Sequence, residues 1–184
     1  MKLAYIVFDN ITWLDFIGIY DPITRLKSHY LQDLAWDICS YSAKVQDSFG
    51  LQINVTKVNT SLTGYDGLII PGGPGTRTLM HDKKFMEWIK TAGHSKYKIS
   101  ICTGSLILGA AGFLTDKAAT THYNEYETLK PYCREVLPER IVEDGDTITA
   151  GAVSASIDLG IYLCRKWAGP EAESNIRKQM NYHS

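Results

Sequence analysis

The sequence predicts an α/β fold, a mostly parallel sheet with helices on both faces, built as a single domain over residues 1–184. Three observations predict it. Segments of strand length alternate with segments of helical periodicity. The central strand segments are apolar at consecutive positions, which is typical of strands buried on both faces. The chain also contains no internal repeats, low-complexity tracts or linker-like stretches that would divide its 184 residues.

The first third of the chain begins with a β-then-α unit. Residues 3–8 form a short apolar run of strand length, and residues 14–28 repeat apolar side chains at helical spacing. Pro22 lies within that helix and predicts a kink or a late start, because proline lacks the N–H of a helix interior. Two further strands are expected, over residues 35–42 and 51–58.

The middle of the chain repeats the alternation. A buried strand over residues 67–70 ends at a Pro-Gly-Gly break, and residues 85–93 form an amphipathic helix with Gly93 as the expected C-cap. Residues 98–102 are the next apolar strand. The small-residue segment 105–114 that follows predicts the next helix.

The last third adds mainly helix. Residues 123–132 have a helical pattern, and residues 140–151 predict a two-strand hairpin around Asp144 and Gly145. The chain then continues in two helices, over residues 154–169 and 171–182.

Composition excludes several function classes. Nineteen basic and twenty acidic side chains leave a net charge of −1, with no block of like charge, so neither nucleic acid nor a membrane surface is an expected partner. The first ten residues lack the length and cleavage site of a signal peptide, and no apolar run reaches the length of a membrane span. The four cysteines are widely spaced, which favours a reducing, cytoplasmic location.

Cys102 stands at the junction between a predicted strand and a predicted helix. In parallel sheets, ligands bind beyond the carboxyl ends of the strands. A cysteine on such a sharp turn is expected to be a nucleophile, with its thiolate favoured by the helix N-terminus, and Thr103 supplies a backbone N–H to a developing negative charge. The spacing resembles the G-x-S-x-G nucleophile elbow in geometry, although Ser100 stands where that motif has its first glycine. The other cysteines are expected to be small buried hydrophobic residues: Cys39, Cys133 and Cys164.

The "PGGPGT" stretch reaches the same edge of the sheet. It lacks the Gly-Lys-Ser/Thr ending of a phosphate loop, so nucleotide binding has little support. Glycines instead allow backbone N–H groups to approach a ligand. Gly73 is therefore the candidate for the second oxyanion donor, with Gly72 as an accessory residue. A turn that merely ends a strand is an equally good interpretation of these two glycines.

Asp15 and His122 complete the candidate site. Asp15 lies between apolar side chains, where partial burial is expected to raise its pKa and allow it to exchange a proton with a nearby sulfur. In isolation, an aspartate there is most often a helix cap or first-turn acid. His122 is an accessory candidate that could orient or protonate the cysteine, although an isolated histidine is more often structural. The histidines form no ligand pattern, so no metal is predicted.

Three stretches, "LIIPGGPGT", "ISICTGSLILGAAGFLTDKAATTHY" and "TAGAVSASIDLGIYL", together resemble the DJ-1/PfpI superfamily, and the middle one is similar to its isonitrile hydratase-like subgroup. The resemblance implies a flavodoxin-like sandwich, usually a homodimer, that acts on a small molecule without a cofactor. It also implies functional roles for Cys102, Thr103 and Asp15, in which the thiolate adds to the terminal carbon of R–N≡C and water releases an N-substituted formamide.

The chain departs from other branches of that superfamily. Thr103 stands where PfpI-type peptidases have a histidine, and the His-x-Glu of the glutaminases does not occur after Gly151. Asp15 stands where the best-known DJ-1 members have a glutamate, which weakens the transfer of a glyoxalase or deglycase role. Tyr123 and Ile19 replace a usual tryptophan and a usual proline near the substrate pocket. The remaining alternative from another function class is a non-catalytic redox or small-molecule sensor centred on Cys102.

Overall fold

A seven-stranded sheet with helices on both faces forms the centre of the computed structural model, which describes residues 1–183. The strands are β1 Lys2–Ile6, β2 Ala35–Ser40, β3 Lys57–Val58, β4 Gly67–Ile70, β5 Tyr97–Ile101, β6 Ala118–Ala119, β7 Glu135–Val136, β8 Ile141–Asp144 and β9 Thr147–Ala150. The helices are α1 Trp13–His29, α2 Thr76–Leu79, α3 Lys83–Lys90, α4 Gly104–Ala110, α5 Tyr126–Leu129 and α6 Ala155–Gln179. Short 3₁₀ turns at Tyr123–Glu125 and Lys130–Tyr132 flank α5.

The strand order of the central sheet is β3-β2-β1-β4-β5-β9-β8. All neighbouring pairs are parallel except the β8–β9 hairpin, and β6 and β7 form a separate parallel pair. The chain moves one way from β1 to β2 and the other way from β4 to β5, so right-handed crossovers place α1 and α3 on opposite faces. This is the predicted flavodoxin-like α/β fold. The order reverses between β1 and β4, where ligands bind in such sheets.

The strands at the centre of the sheet are buried along nearly their whole length. Every residue of β4 is buried, as is every residue of β1 after Lys2 and of β5 after Tyr97. This burial explains the continuous apolar runs in the sequence. In the described part of the chain, no helix combines the length and the apolar composition needed to cross a membrane.

Helices α1 and α6 pack against each other through glycines. A Cβ on Gly18 of α1 would lie 2.0 Å from Ser156 Oγ, and a Cβ on Gly160 of α6 would lie 2.8 Å from Pro22 Cγ. The Ser156 hydroxyl also donates a hydrogen bond to Leu14 O at 3.1 Å. This close contact fixes the first turn of α1 against α6, and the first turn of α1 carries Asp15.

Gly18→Ala is expected to destabilise the protein by about 1–3 kcal/mol, because the added methyl group would overlap Ser156 in a packed interface. The measurement is the free energy of unfolding in urea. The same substitution in a Ser156→Gly background should cost less, because the overlapping atoms are gone. An equal cost in both backgrounds would contradict this explanation.

The predicted first helix, residues 14–28, is present as α1 Trp13–His29 with Pro22 inside it, so only the alternative of a late start was wrong. Two further local predictions were wrong. Strand β3 covers only Lys57–Val58 of the predicted segment 51–58, and Gln52 makes an isolated antiparallel bridge to Gln46 outside the named strands. Gly93 does not cap α3 in a left-handed conformation. Tight i to i−3 hydrogen bonds end the helix instead, and Thr91 is its C-cap.

The two predicted C-terminal helices correspond to α6, which is interrupted at Gly169. The φ angle of Gly169 is 88°, in the region that favours glycine, and Pro170 follows it. The predicted hairpin is also present, with Gly145 at a φ of 66° in its turn. These turns were predictable because they depend on local backbone chemistry.

Candidate active site

Cys102 lies on a strained strand-to-helix turn. It follows β5 directly and has a φ of 54°, a left-handed conformation that is uncommon for a residue with a side chain. Its N–H is shared between Ala150 O and Gly151 O, both at 2.9 Å. A Cβ on Gly104 would lie 2.1 Å from Ile70 O, so only glycine fits where the turn crosses the end of β4. The geometry is that of a nucleophile elbow, as predicted.

Asp15 projects from the first turn of α1 into the protein. The residue is completely buried, and its Oδ2 accepts a hydrogen bond from Gly72 N at 2.9 Å. Its Oδ1 is buried and has no donor of regular geometry among residues 1–183. The Cys102 thiol also lowers the pKa of this carboxyl. One carboxylate oxygen is therefore fixed by the backbone, and the other is available for a proton.

The predicted functional residues converge at Gly72. A Cβ at this position would lie 2.7 Å from Thr103 N, 2.8 Å from Asp15 Oδ2 and 2.9 Å from Cys102 Cβ. Any larger residue would displace at least one of them. Gly72 was predicted as an accessory residue, and its absent side chain and its N–H both shape the site.

The protonation states of Asp15 and Cys102 agree with the prediction for the carboxyl but not for the thiol. Burial raises the pKa of Asp15 from its ordinary 3.8 to about 7, although the hydrogen bonds from Gly72 and Cys102 oppose the shift. That direction was predicted. Burial, followed by the negative charge of Asp15, raises the pKa of the Cys102 thiol from 9.0 to about 12. The prediction of a thiolate at rest was wrong, because the sulfur is desolvated and only 5% of the residue is exposed.

These two shifts define what the site can do chemically. Near neutral pH, Asp15 is poised between its charged and neutral forms, whereas the thiol holds its proton. A carboxylate in this state can accept the thiol proton as the sulfur attacks an electrophile, which is general-base catalysis. The N–H and hydroxyl of Thr103 both lower the pKa of the thiol, and so they stabilise negative charge that develops on the sulfur.

Gly73 has a different role from the predicted one. Its N–H donates to Thr103 Oγ1 at 3.0 Å, so it is occupied and does not form a free oxyanion donor. Its φ is 137°, and a Cβ there would lie 2.4 Å from Asn10 O. The Thr76 hydroxyl contacts Thr103 Oγ1 at 2.9 Å from the same turn. The "PGGPGT" turn therefore holds the elbow in place.

Thr103→Val is expected to lower the free energy of unfolding by about 1–3 kcal/mol, because it leaves the buried Gly73 N–H without its acceptor. Urea denaturation measures this loss. Thr103→Ser keeps the hydroxyl and should retain most of the stability. Equal losses in the two variants would show that the methyl group, rather than the hydrogen bond, stabilises the turn.

No contact in residues 1–183 joins His122 to Cys102. His122 is partly buried, its Nδ1 accepts from Asn124 N at 3.2 Å, and its ring stacks on Tyr123 at 4.3 Å. The neighbouring Thr121 contacts the elbow instead, through a 3.1 Å hydrogen bond from its Oγ1 to Cys102 O. Sequence reasoning missed Thr121 and Thr76, because nothing in a threonine's local context reveals a partner distant in sequence.

The other three cysteines were predicted to be small buried hydrophobic residues. Cys39 and Cys164 are buried, Cys133 is partly exposed, and all are free thiols. Within the described residues, no group of three or more His, Cys, Asp or Glu side chains is placed to hold a metal ion.

Comparisons with known proteins show which family the chain matches. The DJ-1/PfpI family model matches residues 1–166. An isonitrile hydratase from Pseudomonas putida is 31% identical over 183 residues, which is 99% of this chain and 78% of that protein. A glutathione-independent glyoxalase from Caenorhabditis elegans is 26% identical over 117 residues. The match covers 63% of this chain and 62% of that protein.

A solved structure supports the same conclusion for the fold. The crystal structure of a THiJ/PfpI family protein from Pseudomonas syringae superimposes on the whole chain with a TM-score of 0.91 and 26% sequence identity, and the match covers 75% of that structure. Sequence and structure thus lead to one assignment: the chain belongs to the DJ-1/PfpI family.

Proposed function

We propose that this protein hydrates small isonitriles, R–N≡C, to N-substituted formamides by cysteine-dependent catalysis. The observation that carries the proposal is the convergence of Cys102, on its strained turn, with a buried Asp15 whose pKa is raised to about 7. The similarity to the Pseudomonas putida isonitrile hydratase supports this substrate class. The chain's own side chains supply every proton transfer that the reaction needs.

The first step forms a thioimidate on Cys102. Asp15 takes the thiol proton while the sulfur attacks the terminal carbon of the isonitrile, forming the C–S bond. One π pair of the C≡N bond moves to the nitrogen, and the lone pair that the terminal carbon already carried takes the proton from protonated Asp15. The product is R–N=CH–S–Cys102, and Asp15 is again a carboxylate. Thr103 N–H lies beside the sulfur and stabilises its developing negative charge.

The second step releases the product. Asp15 accepts a proton from water as the oxygen adds to the thioimidate carbon, and the nitrogen takes up the proton to give R–NH–CH(OH)–S–Cys102. The C–S bond then breaks, the hydroxyl becomes a carbonyl, and its proton returns to the sulfur through Asp15. The sum is R–N≡C plus water giving R–NH–CHO, with the enzyme restored.

The sensor alternative has less support. Redox-sensing cysteines combine a low thiol pKa with solvent access. Cys102 instead has a raised pKa and is 5% exposed. Its burial beside a carboxyl suits activation during a reaction better than spontaneous oxidation by peroxide.

We also propose that the protein acts as a homodimer. Helix α1 carries two apolar side chains, Leu14 and Ile17, that are each 48% exposed and lie three residues apart on one face. Asp15 belongs to the same helix turn, so a second copy on this face would lie near the site. Sedimentation velocity should give twice the chain mass of 20.6 kDa, and Ile17→Lys should shift the protein toward the monomer. A monomeric wild type would contradict the proposal.

The decisive experiment supplies the purified protein with an alkyl isonitrile. We expect loss of the isonitrile stretching band and stoichiometric formation of the N-alkyl formamide, measured by infrared and NMR spectroscopy. Methylglyoxal is tested in parallel, because one relative is a glyoxalase. Formation of lactate without isonitrile turnover would favour that chemistry over hydration, and no turnover of the isonitrile would reject the proposed function.

A further inference from the structure

We infer that Arg77 and Glu125 are positioning residues, an ion pair that clamps together the two chain segments holding the Cys102 elbow. This inference deepens the proposed function but can be tested on the thiol alone. The two segments are residues 71–79, which contain the "PGGPGT" turn and α2, and residues 120–125, which follow β6. We call them the turn segment and the β6 segment.

The ion pair joins side chains with very different exposure. Arg77 Nε lies 2.7 Å and Arg77 Nη2 lies 2.6 Å from the same oxygen, Glu125 Oε1. The Glu125 side chain is 11% exposed, whereas that of Arg77 is 48% exposed. A carboxylate so far removed from water needs a partner, and removal of one member of such a pair is costly. Loss of Arg77 should therefore cost more than the loss of a partner from an ordinary surface ion pair.

The turn segment is tied to the elbow through Thr103. Gly73 N–H donates to Thr103 Oγ1 at 3.0 Å, and the Thr76 hydroxyl contacts the same oxygen at 2.9 Å. Arg77 is the next residue after Thr76. Any movement of Arg77 away from Glu125 is thus transmitted to the groups that hold the Thr103 side chain.

The β6 segment is tied to the elbow through Cys102. Thr121 Oγ1 donates to Cys102 O at 3.1 Å. The intervening turn is organised by His122, whose carbonyl accepts from Glu125 N at 2.8 Å and whose Nδ1 accepts from Asn124 N. His122, predicted as an accessory residue of the site, therefore helps to present Glu125 to Arg77.

These contacts form a closed ring around the nucleophile. It runs from the elbow through the turn segment to Arg77, across the ion pair to Glu125, and back through the β6 segment. Because Thr103 N–H and Oγ1 both favour negative charge on the sulfur, a loosened ring should weaken that stabilisation. The expected consequence is a Cys102 thiol that ionises less readily and reacts more slowly.

The test measures alkylation of Cys102 by iodoacetamide between pH 6 and pH 10. Cys133 is also partly exposed, so the modified Cys102 peptide is quantified by mass spectrometry. The variants are Glu125→Gln, Arg77→Gln, the double variant and the conservative Arg77→Lys. The matched control is Glu173→Gln in α6, which removes a carboxylate that is 18% exposed and pairs with Arg165 at 3.0 Å.

We expect each Gln variant to slow alkylation about three- to tenfold at pH 8 and to move the pH profile upward by about 0.5–1 unit. The double variant should be no slower than the slower single variant, Arg77→Lys should recover part of the rate, and Glu173→Gln should match the wild type. Variants that lower thermal stability but keep the wild-type alkylation profile would overturn the inference. Since iodoacetamide reacts without isonitrile chemistry, this result is independent of whether the hydratase proposal holds.

Discussion

Replacement of Cys102 by alanine is expected to abolish isonitrile turnover, with a loss of at least about 10⁴-fold in kcat. The covalent thioimidate cannot form without the sulfur, and Asp15 alone offers no route through a covalent intermediate. The fold should be retained, because the smaller side chain fits the same turn. Formamide production under substrate saturation measures the effect, and circular dichroism checks the fold.

The matched control for this variant is Cys133→Ala. Cys133 is a partly exposed thiol that follows the second 3₁₀ segment, and its removal should leave kcat within about twofold of the wild type. Cys102→Ser should be nearly as inactive as the alanine variant, since an alcohol is a far weaker nucleophile than a thiol when the base is a carboxylate. Substantial turnover by Cys102→Ala would contradict covalent catalysis at this site.

Asp15→Asn is expected to stabilise the protein by about 2–4 kcal/mol at pH 8. Burial raises the pKa of Asp15 to about 7 in the folded protein from 3.8, a difference of about three pKa units or about 4 kcal/mol. The upper end of the range corresponds to that full difference. Asparagine keeps an oxygen for Gly72 N–H and carries no charge to desolvate. Turnover should fall about 10²- to 10⁴-fold in the same variant, because the base is lost.

The sign of the pH dependence follows from the same shift. Below about pH 3.8, the carboxyl is neutral in both the folded and the unfolded chain, so Asp15 imposes no penalty. As the pH rises toward 7, the unfolded chain ionises first and the wild type loses stability; above pH 7 the penalty is constant. The difference in unfolding free energy between the variant and the wild type should therefore grow from pH 4 to pH 7.

Asp21→Asn is the control for this experiment. Asp21 lies on the same helix, but it is partly exposed and pairs with Arg25 at 2.9 Å. Its substitution should change stability by less than about 1 kcal/mol at any of these pH values. A stability difference for Asp15→Asn that stays flat across the range would mean that the carboxyl ionises normally, and the general-base role would then lose its physical basis.

Asp15→Asn is expected to raise stability and to lower turnover. The native residue at this position therefore lowers the stability of the protein while it supports the proposed activity. Two features of this site are unfavourable for folding: a buried ionisable acid and a cysteine at a φ of 54°. Both are compatible with a stable protein because a large apolar core surrounds the sheet. Their coincidence at one point is the physical reason to assign a chemical function to this edge of the sheet.

Much of the fold was predictable from local patterns. Apolar runs identified β1, β4 and β5, since a strand covered on both faces needs apolar side chains at consecutive positions. Glycine and proline marked the β8–β9 turn and the break in α6 for equally local reasons. The strand predicted over residues 51–58 is mostly absent. Its composition is typical of a strand, but most of the segment has no neighbouring strand to pair with.

The sequence could indicate which residues belong to the candidate site, but not what all of them contact. Cys102, Thr103 and Asp15 could be selected because each follows a buried strand or begins a helix at the same edge of the sheet. The roles of Gly73 and His122 could not be assigned correctly, since their N–H and ring partners are set by the packing of separate segments. Thr76, Thr121 and the Arg77–Glu125 pair gave no signal, because an isolated threonine or charge has the same local pattern on any surface.

The amino-acid sequence by itself determined the strand and helix alternation, the sharp turn at Cys102 and the presence of an acid after the first strand. Only the tertiary structure decided the state of that site: a protonated thiol, a carboxyl poised near neutrality and a glycine turn that supports them. The physical reason is the distance along the chain over which each kind of interaction acts. Backbone preferences act over a few residues, whereas desolvation and hydrogen bonding depend on atoms that folding brings together from distant parts of the chain.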